Sequence, residues 1–313
     1  MTHQTRIGLC LPQLGTGLDV ELLRRFCQQA EELGYGSLWV RDHFLWPLAP
    51  QRGYNGRPGA AIPAQFQSAL APLELLAAVA TWTSTVRIGT SILVAGHHWP
   101  AQLAGRLATI DVLSGGRLDV GLGIGWSAEQ HDASGTDIAT RGRRLDDFIP
   151  ALLACWGDDP VEHDGPFFSI PPSVMLPKPQ QRPRPPLLSG LWSEPGLERT
   201  RTHFDGWLPA GMPVAGSKAI LDDLNARRPR VMAPLTMHHL AFVQHPNARA
   251  LPGDPVDRLA AEASAAAAHR FDDFIIDHAF WEGVADPAAW LDVPQRFEPI
   301  VEAVAAGVSS PHH

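Results

Sequence analysis

The chain has 313 residues, 45% of them apolar, and a formal net charge of −8, enough for two ordinary domains or one large barrel. Its 29 prolines and 28 glycines make up under a fifth of the sequence, below the level of a low-complexity chain, so a disordered scaffold is excluded. With an acidic balance and only two lysines, Lys178 and Lys218, it lacks the basic stripe that a nucleic-acid backbone requires.

No run approaches the roughly eighteen uninterrupted apolar residues of a membrane span, and MTHQTRIGLCLPQ enters a strand-like segment without a charged and then apolar leader. A cytoplasmic protein with no membrane contact is expected. Cys10, Cys27 and Cys155 lie far apart in apolar runs, which suits buried thiols rather than a disulfide framework or a metal site.

In chain order, the β-like runs are RIGLCLP from Arg6, SLWVRDH from Ser37, RIGTSILV from Arg87, RLDVGLGIG from Arg117, PLLSG from Pro186, GWLPA from Gly206, HHLAFV from His238 and FIID from Phe274. Helical patterns alternate with them. The first spans Asp19 to Leu33, with a stripe of Leu22, Leu23, Phe26, Ala30 and Leu33, Asp19 as cap and Gly34 as stop. Two more open on first-turn prolines, Pro72 and Pro100, and the second of these ends at Ser114-Gly115-Gly116. Thr140 opens RGRRLDDFIPALLACW, in which Pro150 is expected to kink or interrupt the helix. Further helices are expected over Ser193–Thr202, Ser217–Arg227, Pro255–His269 and Pro287–Ala305.

Eight alternations of strand and helix, with mostly apolar strands, predict an α/β chain folded as a single (β/α)8 TIM barrel over residues 1–308 with a disordered tail at 309–313. A doubly wound sheet is the alternative, since strand count does not distinguish a closed sheet from an open one. A barrel needs about 250 residues. The surplus falls in two long loops, Phe44–Leu70 and Gly157–Pro186, both expected to cover or cross the catalytic side.

Gly121, Gly123 and Gly125 fall at period two, so one face of their strand carries no side chains. That strip would seat a flat ring or a closely packed neighbouring strand. Trp126 occupies the position of a third fingerprint glycine, so no dinucleotide motif is present. Asp42-His43 ends the second strand, where barrel enzymes place catalytic groups, although a structural hydrogen-bonded pair fits the same position. The adjacent histidine pairs point to opposite faces of extended chain and show no HExxH spacing, so no metal site is expected. Ser193, following Ser189-Gly190-Leu191-Trp192, opens a helix. It would either cap that helix or help present its N-terminus to a phosphate.

Taken in order, RDHF at 41–44, GTSILV at 89–94, the segment from Pro100 through LSGGR to Arg117, GLGIGW-x2-E at 121–129, RGRRLDD at 141–147, LPKPQQRPRPPLLSGLWSE and FDGWLPAG at 204–211 resemble the bacterial-luciferase-like family. The resemblance covers about two thirds of the chain. It implies a barrel that binds a small-molecule substrate and either the deazaflavin coenzyme F-420, for hydride transfer, or reduced FMN, for oxygen activation with a separate reductase as partner. A homodimer is expected.

In the deazaflavin branch, the residues matching His43 and Asp42 stand beside the ring, and the matching bulge, here Ser91-Ile92, backs it through a cis peptide bond. Gly123, Gly125 and Trp126 would flank the cofactor, and the turn Ser189, Gly190, Leu191, Trp192, Ser193 would hold its phosphate. The sugar-phosphate dehydrogenases of that branch carry a glutamate where this chain has Trp126, which argues against that activity. Trp126, Trp99 and Trp46 would form an apolar substrate pocket.

Overall fold

The computed structural model describes residues 3–248, 252–284 and 286–308. The expected tail at 309–313 lies outside them. Strands β1 (Arg6–Cys10), β2 (Ser37–Val40) and β3 (Arg87–Thr90) pair in parallel, and after a break at Ser91-Ile92 the third resumes as β4 (Leu93–Val94). Both pieces pair with β5 (Leu118–Gly123). A separate antiparallel hairpin, β6 (Val161–Asp164) and β7 (Ser169–Ser173), precedes β8 (Leu187–Ser189), β9 (Gly206–Trp207), β10 (Thr236–Phe242) and β11 (Asp273–Asp277). Because β11 pairs with β1, the eight parallel positions close into a (β/α)8 barrel rather than an open doubly wound sheet.

The surrounding helices are α1 (Val20–Glu32), α2 (Pro72–Trp82), α3 (Pro100–Leu113), α4 (Ala128–Ala133), α5 (Arg141–Trp156), α6 (Glu194–His203), α7 (Val214–Arg227), α8 (Pro255–Ala268) and α9 (Asp292–Val308). The expected sequence signals operate locally. Asp19 accepts from the Leu22 N–H at 2.9 Å to cap α1, and Leu23, Phe26, Cys27 and Ala30 are buried against the sheet. Each large apolar side chain so buried contributes about 1.5–3 kcal/mol. Among the described residues, no helix is long and apolar enough to cross a membrane.

Three expectations are corrected. Pro150 does not interrupt α5, which runs unbroken to Trp156; the proline stands on the exposed face, where water can take the carbonyl its ring frees. The segment expected as one helix from Pro287 is a 3-10 turn, Pro287–Leu291, followed by α9. The second long loop does not cover the catalytic side. Its hairpin is tied to α5 by Asp147, which accepts from the Phe167 and Phe168 N–H groups and meets His163. The rest of that loop returns to the opposite end of the barrel, where Gln181 bonds to Asp111 and Leu118 and Arg184 pairs with Asp205.

The barrel interior is layered. At the strand starts, Asp273 accepts from Ser37, Arg6 and His238, and Arg87 pairs with Asp119. Above this charged layer, Trp39 lies across Gly89, and Leu188, Leu208, Leu240 and Ile275 complete an apolar plug. This packing leaves the C-terminal ends of the strands as the open face.

Candidate active site

Two adjoining cavities lie on that face and share Asn55, Ile92, Gly125 and Trp126 as a common wall. The inner one, about 220 Å³, opens between the ends of β2, β4, β10 and β11. Its lining includes Asp42, His43, Ser91, Phe66, Phe242 and the Arg41–Asp277 ion pair. The outer one, about 340 Å³, is lined by Gly123, Gly190, Leu191 and Trp192 at the ends of β5 and β8, together with Arg52 and Arg141.

The Ser91-Ile92 peptide is cis, as the family resemblance implied. The glycine strip does not present an open face at Gly121 and Gly123. A Cβ at Gly121 would meet the Thr90 carbonyl oxygen at 2.0 Å, and one at Gly123 would meet Ile92 Cδ1 at 2.7 Å. The strip therefore receives the bulge, and the bulge faces the cavities. Gly125 has φ +69° and lies under Val94 and His131, so both its conformation and its surroundings exclude a side chain.

Asp42 is held by the Val94 N–H at 3.0 Å and by His98 Nε2 at 2.9 Å, with His97 Nδ1 at 3.4 Å. Burial opposes its ionisation, but the His97 and His98 contacts outweigh it and hold the carboxyl well below the usual range. His43 is 3% exposed, and its ring lies 4.4 Å from that of Phe66. Burial pushes its imidazole down to about 4 against the pull of Asp42, so it is neutral at pH 7. Its Nδ1 meets Gln130 Nε2 at 2.9 Å, while its Nε2 is buried without a partner in the protein.

Not every expected residue reaches the site. Ser189 lines neither cavity, because its hydroxyl turns outward to Thr200 on α6 at 2.6 Å. Ser193 lines neither cavity and makes no side-chain cap, although it precedes the first turn of α6. Trp99 is half exposed and packs on Phe168, and Trp46 packs into the apolar cluster around Phe66 and Phe280. Of the three tryptophans, Trp126 alone lines the cavities.

Sequence reasoning missed Arg52, Tyr54, Asn55 and Phe66, all from the first long loop, as well as Gln130 and Arg141. Arg141 heads the RGRRLDD motif, which was its one available signal. Its Nε is buried without a partner, and neither Arg141 nor Arg52 pairs with a carboxylate among the described residues. A cavity walled by two uncompensated guanidiniums suits an anion.

Residues 8–251 match the luciferase-like monooxygenase family. The chain belongs to that family. An uncharacterized protein from Mycobacterium tuberculosis (strain ATCC 25618 / H37Rv) is 29% identical over 62% of this chain and 70% of its own length. The oxygenase component of the flavin-dependent trigonelline monooxygenase of Acinetobacter baylyi is 32% identical over 51% of this chain and 40% of its own. In fold, the chain is similar to an F-420-dependent secondary alcohol dehydrogenase solved with an F-420–acetone adduct, with TM-score 0.71 and 15% identity over 96% of this chain and 99% of that one. The chain thus has sequence similarity to a flavin-dependent monooxygenase component and shares its fold with an F-420-dependent enzyme.

Proposed function

We propose that this luciferase-like oxidoreductase uses coenzyme F-420 to move a hydride to or from a small, largely apolar organic substrate. The observation that carries this reading is His43. It is a neutral buried imidazole in the wall of a cavity bounded by the Ser91-Ile92 bulge and by aromatic side chains, and its Nε2 has no hydrogen-bond partner. The residues fit such a cofactor: Ile92, Gly125 and Trp126 would flank its ring, and Arg141 and Arg52, with the turn from Gly190 to Trp192, would hold its phosphate. When bound, the deazaflavin supplies two-electron redox chemistry, and the protein orients the reactants and keeps water out. Tyr54, Phe66, Phe242 and Trp126 suit an apolar substrate, with His43 among the polar groups beside them.

A second reading, an FMN-dependent monooxygenase served by a separate reductase, is favoured by the sequence relative at 32% identity, which is flavin-dependent. Fluorescence titration with both cofactors tests the choice. Coenzyme F-420 is expected to bind at least about tenfold more tightly than FMN, a difference of about 1.4 kcal/mol. Equal or tighter binding of FMN overturns the deazaflavin reading in favour of the monooxygenase.

A further inference from the structure

Gln130, on α4, is as deeply buried as His43, at 3% exposure each. Its Nε2 lies 2.9 Å from His43 Nδ1. An amide nitrogen only donates, so Nδ1 accepts, and a neutral imidazole whose lone pair is on Nδ1 carries its proton on Nε2. The reversed amide would set Oε1 against an Nδ1–H and leave both amide N–H donors at the position where Oε1 is now buried without a partner. A stranded N–H pair is rarer and costlier than an under-satisfied carbonyl oxygen, so the orientation with Nε2 toward His43 is the stable one.

The two charged neighbours do not compete for Nδ1, and the Phe66 backbone lies close enough to accept a hydrogen bond from the ring. Asp42 is engaged by His98 and Val94, Arg41 by Asp277, and Phe66 covers the ring.

We propose that Gln130 is a positioning residue that fixes His43, in the wall of the inner cavity, as the Nε2–H tautomer, making its remaining nitrogen a hydrogen-bond donor rather than a base. The substrate atom that meets it is then an acceptor, such as a carbonyl, hydroxyl or carboxylate oxygen. A neutral imidazole donor stabilises negative charge growing on that oxygen without having to give up its proton. The substrate part of the inference rests on the oxidoreductase reading; the tautomer does not.

The test is long-range proton–nitrogen NMR on protein labelled with ¹⁵N-histidine at neutral pH, with the His43 signals assigned by their loss in His43→Ala. Nδ1 is expected to resonate as unprotonated and Nε2 as protonated, with at least about a fivefold excess of that tautomer, the yield of one neutral hydrogen bond. The opposite assignment overturns the proposal.

Gln130→Glu replaces the donor with an acceptor. It is expected to move the proton to Nδ1 and to raise the imidazole from about 4. Gln130→Leu is expected to give a mixture of tautomers, and a spectrum identical to the parent would show that the amide does not hold the ring. If Gln130→Leu fails to fold, the parent spectrum and the near-isosteric Gln130→Glu still decide the question. None of these spectra involves a cofactor, so a failure of the F-420 preference and a failure of this inference are read in separate experiments.

Discussion

Gly190 vacates the space that Ile92 fills: a Cβ on Gly190 would stand 2.7 Å from Ile92 Cγ2. The turn after β8 and the bulge after β3 are thereby fitted to one another by the absence of a single carbon. Gly190→Ala is expected to destabilise the fold by about 1–3 kcal/mol through overpacking. Adding Ile92→Ala should recover part of that loss, because it removes the colliding methyl. Urea unfolding of both single variants and the double variant checks this, and strictly additive effects would contradict it.

Arg141 provides the second prediction. Arg141 lines the outer cavity and pairs with no carboxylate among the described residues, so Arg141→Ala is expected to weaken cofactor binding about 10- to 100-fold, the value of one charge-assisted hydrogen bond. Arg141→Lys keeps the charge but not the planar fork and should fall between the two. Fluorescence titration measures all three proteins, and unchanged affinity in Arg141→Ala would place the phosphate elsewhere.

A role for His43 on charge that develops during reaction would show in turnover more than in binding. Once a substrate is in hand, His43→Ala is expected to lower kcat about 100-fold or more while leaving cofactor affinity within a few-fold. Steady-state kinetics beside cofactor titration separates the two quantities. Equal turnover at saturating substrate would make His43 a structural residue.

Acid sensitivity follows from a histidine that lines neither cavity. His239 is fully buried between Phe271 and Phe274, neither ring nitrogen has a partner, and burial pushes it down to about 4. The unfolded chain takes up its proton near pH 6.5, whereas the native state does not until about pH 4. Across that window the unfolded state binds more protons, so stability falls as pH falls. His239→Met is expected to remove about 2–3 kcal/mol of the loss between pH 7 and pH 4.5, read as a flatter plot of urea midpoint against pH.

The alternation of strands, the first-turn prolines at Pro72 and Pro100 and the Asp19 cap were legible in the sequence because each is a local signal: a period, a fixed φ or a side-chain acceptor three residues ahead. The hairpin of β6 and β7 was not, since SIPPS carries two prolines and the hairpin forms outside the barrel ladder. Helix α4 is six residues long, too short to show a helical period, and Gln130 went unnoticed with it. The roles of Arg52, Tyr54 and Asn55 depend on where the first long loop folds back. That placement is set by distant contacts, such as the Gln51 N–H bonding to Glu129 and the bridge between Leu14 and Ala69.

Asn55 and Trp126 stand in the wall between the two cavities, and Asn55 belongs to a loop whose neighbouring residue Tyr54 touches Phe66, Trp126 and Phe280. A molecule lodged on one side of this partition touches the same residues that a molecule on the other side must meet, so any change that one makes in their arrangement is felt by the other. Thermodynamic linkage makes that influence mutual, so whatever advantage the first guest confers on the second is returned in equal measure.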